Sequence, residues 1–123
     1  MKISASEREI LKVLWQATSP LPAEEVVAML GTDPHWSAGT VRTFLARLVK
    51  KKAVAAQKDG RRYLYRPLVS RADYAHRQSR NLIDSLFNGR IVPFVTQFSE
   101  RQTLSREEID ELKLLIKRLD REH

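Results

Sequence analysis

A short run of side chains that can form hydrogen bonds follows Trp36 in the sequence. Ser37, Thr40 and Thr43 carry hydroxyl groups, and Arg42 adds a guanidinium. Hydroxyl groups can donate to or accept from the edges of DNA bases, whereas a guanidinium can pair with guanine or with a phosphate. A serine at a helix start also lies beside free backbone amides, which bind phosphate readily. These residue types in this order favour recognition of nucleic acid.

An apolar stripe predicts that these side chains lie on the outer face of one helix. Ser37 is a suitable N-cap, and the helix is expected to run to about Lys51. Its buried side repeats at helical spacing and comprises Val41, Phe44, Leu45, Leu48 and Val49. The residues predicted to face outward are Thr40, Arg42, Thr43, Arg47 and Lys50. Trp36 either packs this helix against the core or touches DNA. The lysines at 50–52 either contact DNA or complement the helix dipole.

A basic hairpin is predicted directly after this helix. Residues 54–58 and 62–67 have strand-like composition and flank Asp59-Gly60, which is a strong turn signal. The residues near the hairpin tip that suit contacts to backbone phosphates are Lys58, Arg61 and Arg62. The hairpin would therefore hold the DNA backbone beside the helix that reads it.

The positive charge of the chain is concentrated in this region. The net charge is +7 over 123 residues, and residues 36–66 contain nine Lys or Arg residues against Asp59 alone. Residues 71–123 are almost balanced, with ten basic and nine acidic residues. A concentrated positive field suits a polyanionic partner. A merely solvated basic surface is the other interpretation of the charge.

Two shorter helices are predicted upstream. A capping-box pattern at residues 6–9 predicts a first helix over residues 6–17. Residues 18–22 are predicted to form a loop, and a second helix is expected to begin at Pro22 and end at Gly31. Three helices followed by a basic hairpin are the element order of a winged helix-turn-helix. The fold class is therefore predicted to be mainly α-helical, with a small β-hairpin wing.

The remaining chain is predicted to be helical. Capping patterns begin at Ser70 and Ser105, Asn88-Gly89 stops one helix, and the apolar stretch 91–98 is ambiguous. We predict a DNA-binding domain over residues 1–69 and a helical dimerisation domain over residues 70–123.

This second domain carries more apolar residues than about 50 residues can bury alone, and a two-fold partner could cover them. The predicted homodimer interface comprises Leu82, Leu86, Phe87, Phe94, Val95, Phe98, Ile109, Leu112, Ile116 and Leu119.

Catalytic and metal chemistry find little support in the sequence. The chain has no cysteine, and His35, His76 and His123 lack the spacing of metal ligands. No phosphate-binding glycine loop or nucleophile motif is present. We therefore expect neither an enzyme nor a cofactor. The longest apolar run, residues 26–30, is far shorter than the about 20 residues of a membrane span, and we expect a cytoplasmic protein without membrane insertion.

Four sequence motifs resemble the penicillinase-repressor family of transcriptional regulators, the BlaI, MecI and CopY type. They are "SEREILKVLW" at 6–15, "WSAGTVRTFLARLVKKKAV" at 36–54, "GRRYLYRPLVS" at 60–70 and "LSREEIDEL" at 104–112. The resemblance implies a winged-helix domain, a helical dimerisation domain and a homodimeric repressor of a palindromic DNA operator. It also implies that the groove-reading turn consists of Gly39, Thr40, Arg42 and Thr43, with Trp36 and Ser37 just before it.

Three features of the sequence depart from the pattern of this family. Many relatives have lysine where this chain has Gly39, and the copper-responsive branch has a C-terminal cysteine cluster that is absent here. The penicillin-responsive branch is cleaved at an Asn-Phe bond, where this chain has Gln97-Phe98. We therefore expect release by a signal other than cleavage by a membrane sensor protease.

A helical adaptor that uses its winged helix to bind another protein is the alternative function. Salt dependence separates the two classes, because DNA binding releases counterions and weakens strongly with salt. An apolar adaptor interface would change little.

Overall fold

The computed structural model describes residues 2–123 and divides the chain into two compact units, one ending at Arg77 and one beginning at Gln78. The elements are α1 Ala5–Gln16, β1 Leu21–Pro22, α2 Ala23–Leu30, α3 Ala38–Lys50, β2 Val54–Asp59, β3 Arg62–Pro67, α4 Arg71–Phe87, α5 Ile91–Arg101 and α6 Arg106–Glu122. Helix α4 begins in the first unit and ends in the second. The domain boundary that the sequence predicts between residues 69 and 70 lies at the start of this helix.

The N-cap of helix α1 is Ser4, two residues before the predicted N-cap Ser6, so the prediction of the capping box is wrong. Ser4 is the N-cap: its Oγ accepts from the Glu7 amide at 3.1 Å, and its own amide donates to Glu7 Oε1 at 2.8 Å. Glu9, the acidic residue of the predicted box, instead pairs with Lys12 on the surface. Both patterns satisfy the local rule for a capping box, and the tertiary partner of Glu7 described below favours the Ser4 box.

Helices α1, α2 and α3 pack around one apolar core in the first unit. The predicted inner stripe of α3 is confirmed, because Val41, Leu45 and Leu48 are fully buried while Phe44 and Val49 are partly buried. The other core residues that the three helices contribute are Ile10, Leu11, Val13, Leu14, Ala23 and Val26. Burying this stripe fixes which face of α3 is exposed, and Thr40, Arg42, Thr43 and Arg47 therefore lie on the other side.

The sheet of the first unit has three strands, in the order β1-β3-β2, and both pairings are antiparallel. The prediction of a loop at residues 18–22 is partly wrong, because Leu21 pairs with Tyr65 and Pro22 with Leu64. Pro22 has extended backbone and serves as the N-cap of α2 rather than as its first helical residue. Two residues are too few for a sequence pattern of alternation, which is why this strand was missed.

One residue in the hairpin loop and one residue just after α3 have a positive φ. Asp59 pairs with Arg62, so the two-residue loop is Gly60-Arg61, and Gly60 has a φ of 64°. Glycine adopts this conformation without steric cost. Lys52 has a φ of 63°, and it allows the amide of Ala53 to donate back to the carbonyl of Leu48. A non-glycine residue held in this region is strained.

Helix α4 is fixed to the first unit at its start. As predicted, Ser70 caps it, and the Ser70 Oγ accepts from the Asp73 amide at 3.0 Å. The indole nitrogen of Trp15 donates to the carbonyl of Val69 at 2.8 Å, and the Trp15 and Tyr74 rings lie 5.5 Å apart. These contacts join the first turn of α4 to α1.

The second unit is built from the end of α4 and from α5 and α6. The predicted stop at Asn88-Gly89 is confirmed, since both residues have positive φ and the Gly89 amide donates to the carbonyl of Ile83. Residues 91–98, ambiguous in sequence, belong to α5, whose first turn tolerates Pro93 because an amide there has no helical partner. Ser105 caps α6. Every helix described in residues 2–123 is too short or too polar to span a lipid bilayer.

Candidate nucleic-acid interface

The start of α3 is fixed by its N-cap. Ser37 Oγ accepts from the Thr40 amide at 3.2 Å and donates to Thr40 Oγ1 at 2.9 Å. The sequence prediction of Ser37 as N-cap is therefore confirmed. The remaining amides of this first turn lie at the positive end of the helix dipole, where an anionic group is stabilised.

The next turn of α3 presents Thr43, whose side chain is exposed. Its hydroxyl donates to the carbonyl of Gly39 at 3.0 Å. A Cβ added at Gly39 would meet no heavy atom within 4 Å, so the helix surface is open at this position. The predicted groove-reading residues thus share one accessible stretch of α3.

A cleft of about 410 Å³ lies between α3 and the hairpin. Arg42 from α3 lines it together with Arg61 and Arg62 from the hairpin. The other lining residues are Ala23, Glu24, Tyr63 and Tyr65. Three guanidinium groups against one carboxylate make this cleft electropositive, although Arg62 also lies 3.6 Å from Asp59. The charge of the cleft attracts nucleic acid, and on its hairpin side Arg61 and Arg62 suit contacts to backbone phosphates.

Sequence reasoning missed the contribution of α2 to this cleft. Pro22, the N-cap of α2, makes no side-chain hydrogen bond to the helix, so Ala23 and Glu24 bring an uncapped helix start to the wall of the cleft. Pro22 itself was a usable signal, because proline lacks the side-chain oxygen that normally caps a helix. Nothing local in the sequence indicates that this turn meets Arg42.

Two aromatic residues, Trp36 and Phe44, lie close to each other at α3. The Trp36 and Phe44 rings lie 6.1 Å apart, and the Arg47 guanidinium carbon lies 5.4 Å from the centre of the Phe44 ring. Trp36 is partly buried and packs against the core, as the packing interpretation of this residue predicts. Stacking on Phe44 restricts Arg47 before any ligand binds. Sequence reasoning did not predict this contact between Phe44 and Arg47.

The lysines after α3 have different environments. Lys51 donates to Glu7 Oε1 and to the carbonyl of Lys2, both at 2.7 Å. Lys50 and Lys52 are exposed. Burial raises the pKa of the Glu7 carboxyl, but hydrogen bonds from Lys51 and from the backbone and side chain of Ser4, with the Lys51 charge, outweigh burial and hold this pKa below its ordinary value. Lys51 is therefore engaged within the protein.

Comparison with known proteins agrees with this geometry. The family model described as Penicillinase repressor matches residues 3–118. The chain belongs to the penicillinase repressor family. It is 37% identical to the penicillinase repressor of Bacillus licheniformis over 111 residues, which are 90% of this chain and 86% of that protein. It is 30% identical to the methicillin resistance regulatory protein MecI of Staphylococcus aureus (strain N315), covering 94% of this chain and 93% of MecI.

A solved member of this family has the same fold as the first unit. The solution structure of the DNA binding domain of the repressor BlaI matches with a TM-score of 0.52 and 38% identity, covering 59% of this chain and 88% of that one. The Bacillus licheniformis BlaI monomeric form in complex with the blaP half-operator matches with a TM-score of 0.51 and 38% identity, covering 60% and 89%. The predicted winged-helix class is therefore confirmed. The family is one of repressors and not of enzymes.

The residues predicted to form a dimer interface lie on the three helices of the second unit. Phe87, Phe94 and Ile109 are half-buried within this unit, and the Phe87 and Phe94 rings lie 5.5 Å apart. Leu86 and Ile116 are 68% and 62% exposed. The other exposed residues of the predicted interface are Leu82, Val95, Phe98, Leu112 and Leu119. Sequence reasoning did not include Ile91, Val92, Leu114 and Leu115, which are exposed as well.

The possible cleavage pair, Gln97 and Phe98, lies inside α5. Both residues are exposed, but their backbone is helical. A protease that needs extended backbone would therefore have to open this helix first.

Proposed function

We propose that this chain is a transcriptional repressor that binds a palindromic DNA operator as a homodimer. The observation that carries the proposal is the electropositive cleft in which Arg42 of α3 meets Arg61 and Arg62 of the hairpin. Membership of the penicillinase repressor family supports it. A relative with 38% identity, BlaI, was solved in complex with the blaP half-operator.

In this proposal α3 is the recognition helix and lies in the major groove. Gly39, Thr40, Arg42 and Thr43 face the bases, because the first turns of a recognition helix point into the groove. The remaining predicted DNA-binding residues hold the backbone or position the helix, and they are Trp36, Ser37, Arg47, Lys58, Arg61 and Arg62. Phosphate contacts set the register of the protein on DNA, and base contacts set the sequence that is read.

A second copy of this chain is the proposed partner of the second unit. Within the described residues 78–123, Ile83 is the large apolar residue that is buried, whereas many others on α4, α5 and α6 are exposed. Exposed apolar residues that form one contiguous patch are typical of a protein–protein interface, and the number of such residues on these helices supports a partner. A two-fold axis would cover this surface with identical residues and would place two recognition helices on two half-sites.

The decisive experiment is selection of bound sites from random duplex DNA, followed by binding measurements at several salt concentrations. Arg42→Ala should weaken operator binding by about 1–3 kcal/mol more than binding to random duplex. Lys58→Ala should weaken both alike and lower the salt slope by about 1. Lys12→Ala is the control, since Lys12 pairs with Glu9 on α1. An unchanged ratio of specific to random affinity for Arg42→Ala would disprove the role of α3.

Absence of any selected site, with binding that changes little with salt, would favour the adaptor function instead. An apolar interface with a protein partner releases few counterions. This outcome would also contradict the proposal that the protein binds a palindromic operator.

Release from DNA is proposed to use a signal other than cleavage between Gln97 and Phe98. The departure from the family pattern at Gln97 and the helical backbone of this pair both support this proposal. The test is incubation of the purified protein with extract from induced host cells, followed by intact-mass measurement. We expect the chain to stay whole, and a fragment that ends at Gln97 would restore the proteolytic model.

A further inference from the structure

The hydroxyl group of Thr43 is already engaged as a donor. It donates to the carbonyl of Gly39 at 3.0 Å, one helical turn earlier. A threonine hydroxyl has a single proton, so this bond uses the only donor of the side chain. The bond also turns the oxygen back toward the preceding turn of the helix. The side chain therefore offers DNA its exposed methyl group and an oxygen that can only accept and that is held against the helix.

Thr40 has the opposite arrangement. Its Oγ1 lies 2.9 Å from Ser37 Oγ, and because Ser37 Oγ already accepts from the Thr40 amide, we assign the proton of the bond between the two hydroxyl groups to Ser37. Within residues 2–123, no acceptor takes the proton of the Thr40 hydroxyl. Thr40 therefore keeps a free donor, and Ser37 fixes the position of the oxygen that carries it.

We propose that the two threonines read different chemical groups: Thr40 donates to an acceptor on a base edge, and Thr43 contacts the methyl group of a thymine. The acceptors that the major groove offers are N7 and O6 of guanine, N7 of adenine and O4 of thymine, and the thymine methyl is its main apolar feature. This assignment rests on the proposed function, since it requires that α3 lies in the groove. In this assignment Thr40 contributes to sequence specificity through its hydroxyl group, and Thr43 contributes through its methyl group.

The test uses four substitutions that separate the hydroxyl from the methyl group. Thr43→Val keeps the methyl and should retain operator affinity within about two-fold, whereas Thr43→Ser should lose about four-fold, the value of one methylene. Thr40→Ser should retain affinity, and Thr40→Val should lose about five-fold, the value of one hydrogen bond. The operator is the sequence selected from random duplex, and binding to random duplex reports whether each variant is folded.

Replacing thymine by deoxyuridine in the operator tests the methyl contact directly, because it removes that methyl group alone. One replacement should weaken the wild-type protein about four-fold and leave Thr43→Ser unaffected. Loss of affinity in Thr43→Val with retention in Thr43→Ser would overturn the assignment, as would equal sensitivity of both variants to deoxyuridine. A wild-type protein without preference for any selected site would instead refute the proposed function, so the two failures are distinguishable.

Discussion

The Nζ atom of Lys51 lies 2.7 Å from Oε1 of Glu7, which joins the residue after α3 to the first turn of α1. Glu7 is 1% exposed, and its second carboxylate oxygen, Oε2, is buried without a partner among the described residues. Lys51 also donates to the carbonyl of Lys2. This pair fixes the end of the proposed recognition helix against the N-terminal segment.

Replacing Lys51 and replacing Glu7, each in a separate variant, should lower the free energy of unfolding by different amounts. Lys51→Met leaves a buried carboxylate without its cation and should lower the free energy of unfolding by about 3 kcal/mol. Glu7→Gln should cost only about 1 kcal/mol, since the Lys51 side chain is 35% exposed and can reach water. Urea denaturation followed by circular dichroism measures both values. Lys50→Met is the matched control, and equal losses for Lys51→Met and Glu7→Gln would contradict this asymmetry.

The same pair should make stability depend on pH on the acidic side. The pKa of Glu7 is lowered in the folded protein, so the stabilisation is complete above the unfolded pKa of about 4.3 and is lost as the pH falls through the lower folded pKa. The stability difference between wild type and Glu7→Gln should therefore be largest above about pH 5 and shrink toward pH 3. A difference that stays constant over this range would show that the charge of Glu7 does not contribute.

Lys52 should be replaceable by glycine with a gain in stability. Its φ of 63° lies in the left-handed region, which costs a non-glycine residue about 1 kcal/mol. Lys52→Gly should therefore raise the melting temperature by a few degrees. Lys52→Ala removes the same charge but keeps the strain, so it separates the two effects. A Lys52→Ala variant as stable as Lys52→Gly would mean that the charge, and not the backbone, is responsible.

Gly39 should accept a side chain on the exposed face of α3. Nothing lies within 4 Å of an added Cβ, and the position is helical. Gly39→Ala should stabilise the protein by about 1 kcal/mol. Gly39→Lys should in addition tighten DNA binding and raise the salt slope by about 1, through one new phosphate contact. Gly39→Gln provides a similar length without charge, and an equal salt slope for the Gln and Lys variants would exclude that contact.

Charge placed on the exposed apolar residues of the second unit should separate the proposed dimer. Ile116→Glu and Leu86→Glu each put a carboxylate where 62% and 68% of the side chain is accessible in one chain, so the monomer should tolerate them while a dimer interface should not. Sedimentation equilibrium should show dimers for wild type and monomers for both variants. Lys117→Glu adds acidity on the same helix as a control. A monomeric wild type at micromolar concentration would refute the dimer.

Local sequence patterns predict the helix and the hairpin that carry the site. The N-cap of α1 and the arrangement of the cleft depend on contacts between residues far apart in the sequence. Ser37 and the stripe from Val41 onward identify α3 because capping and helical periodicity depend on neighbours in sequence. By contrast, two serines each precede an acidic residue by three positions near the N-terminus, and local rules do not choose between them. The box at Ser4 is formed because Glu7 meets Lys51, 44 residues away.

The cleft was beyond sequence reasoning for the same reason. Arg42 and Arg61 are predicted as separate contacts on a helix and on a hairpin, and nothing in the sequence indicates that they line the same cleft. The pairing of β1 with β3 closes a loop of more than forty residues, and such contacts depend on the whole fold.

The bond from Trp15 to Val69 also bears on how the protein is made. The ribosome releases α1 and β1 long before their partners, since the acceptor for Trp15 is 54 residues later and β1 needs β3. Until Val69 has left the exit tunnel, the apolar sides of the first three helices have no finished core. Ribosomes that stall before Val69 has left the exit tunnel would therefore present an unfolded nascent chain that chaperones bind and proteases degrade.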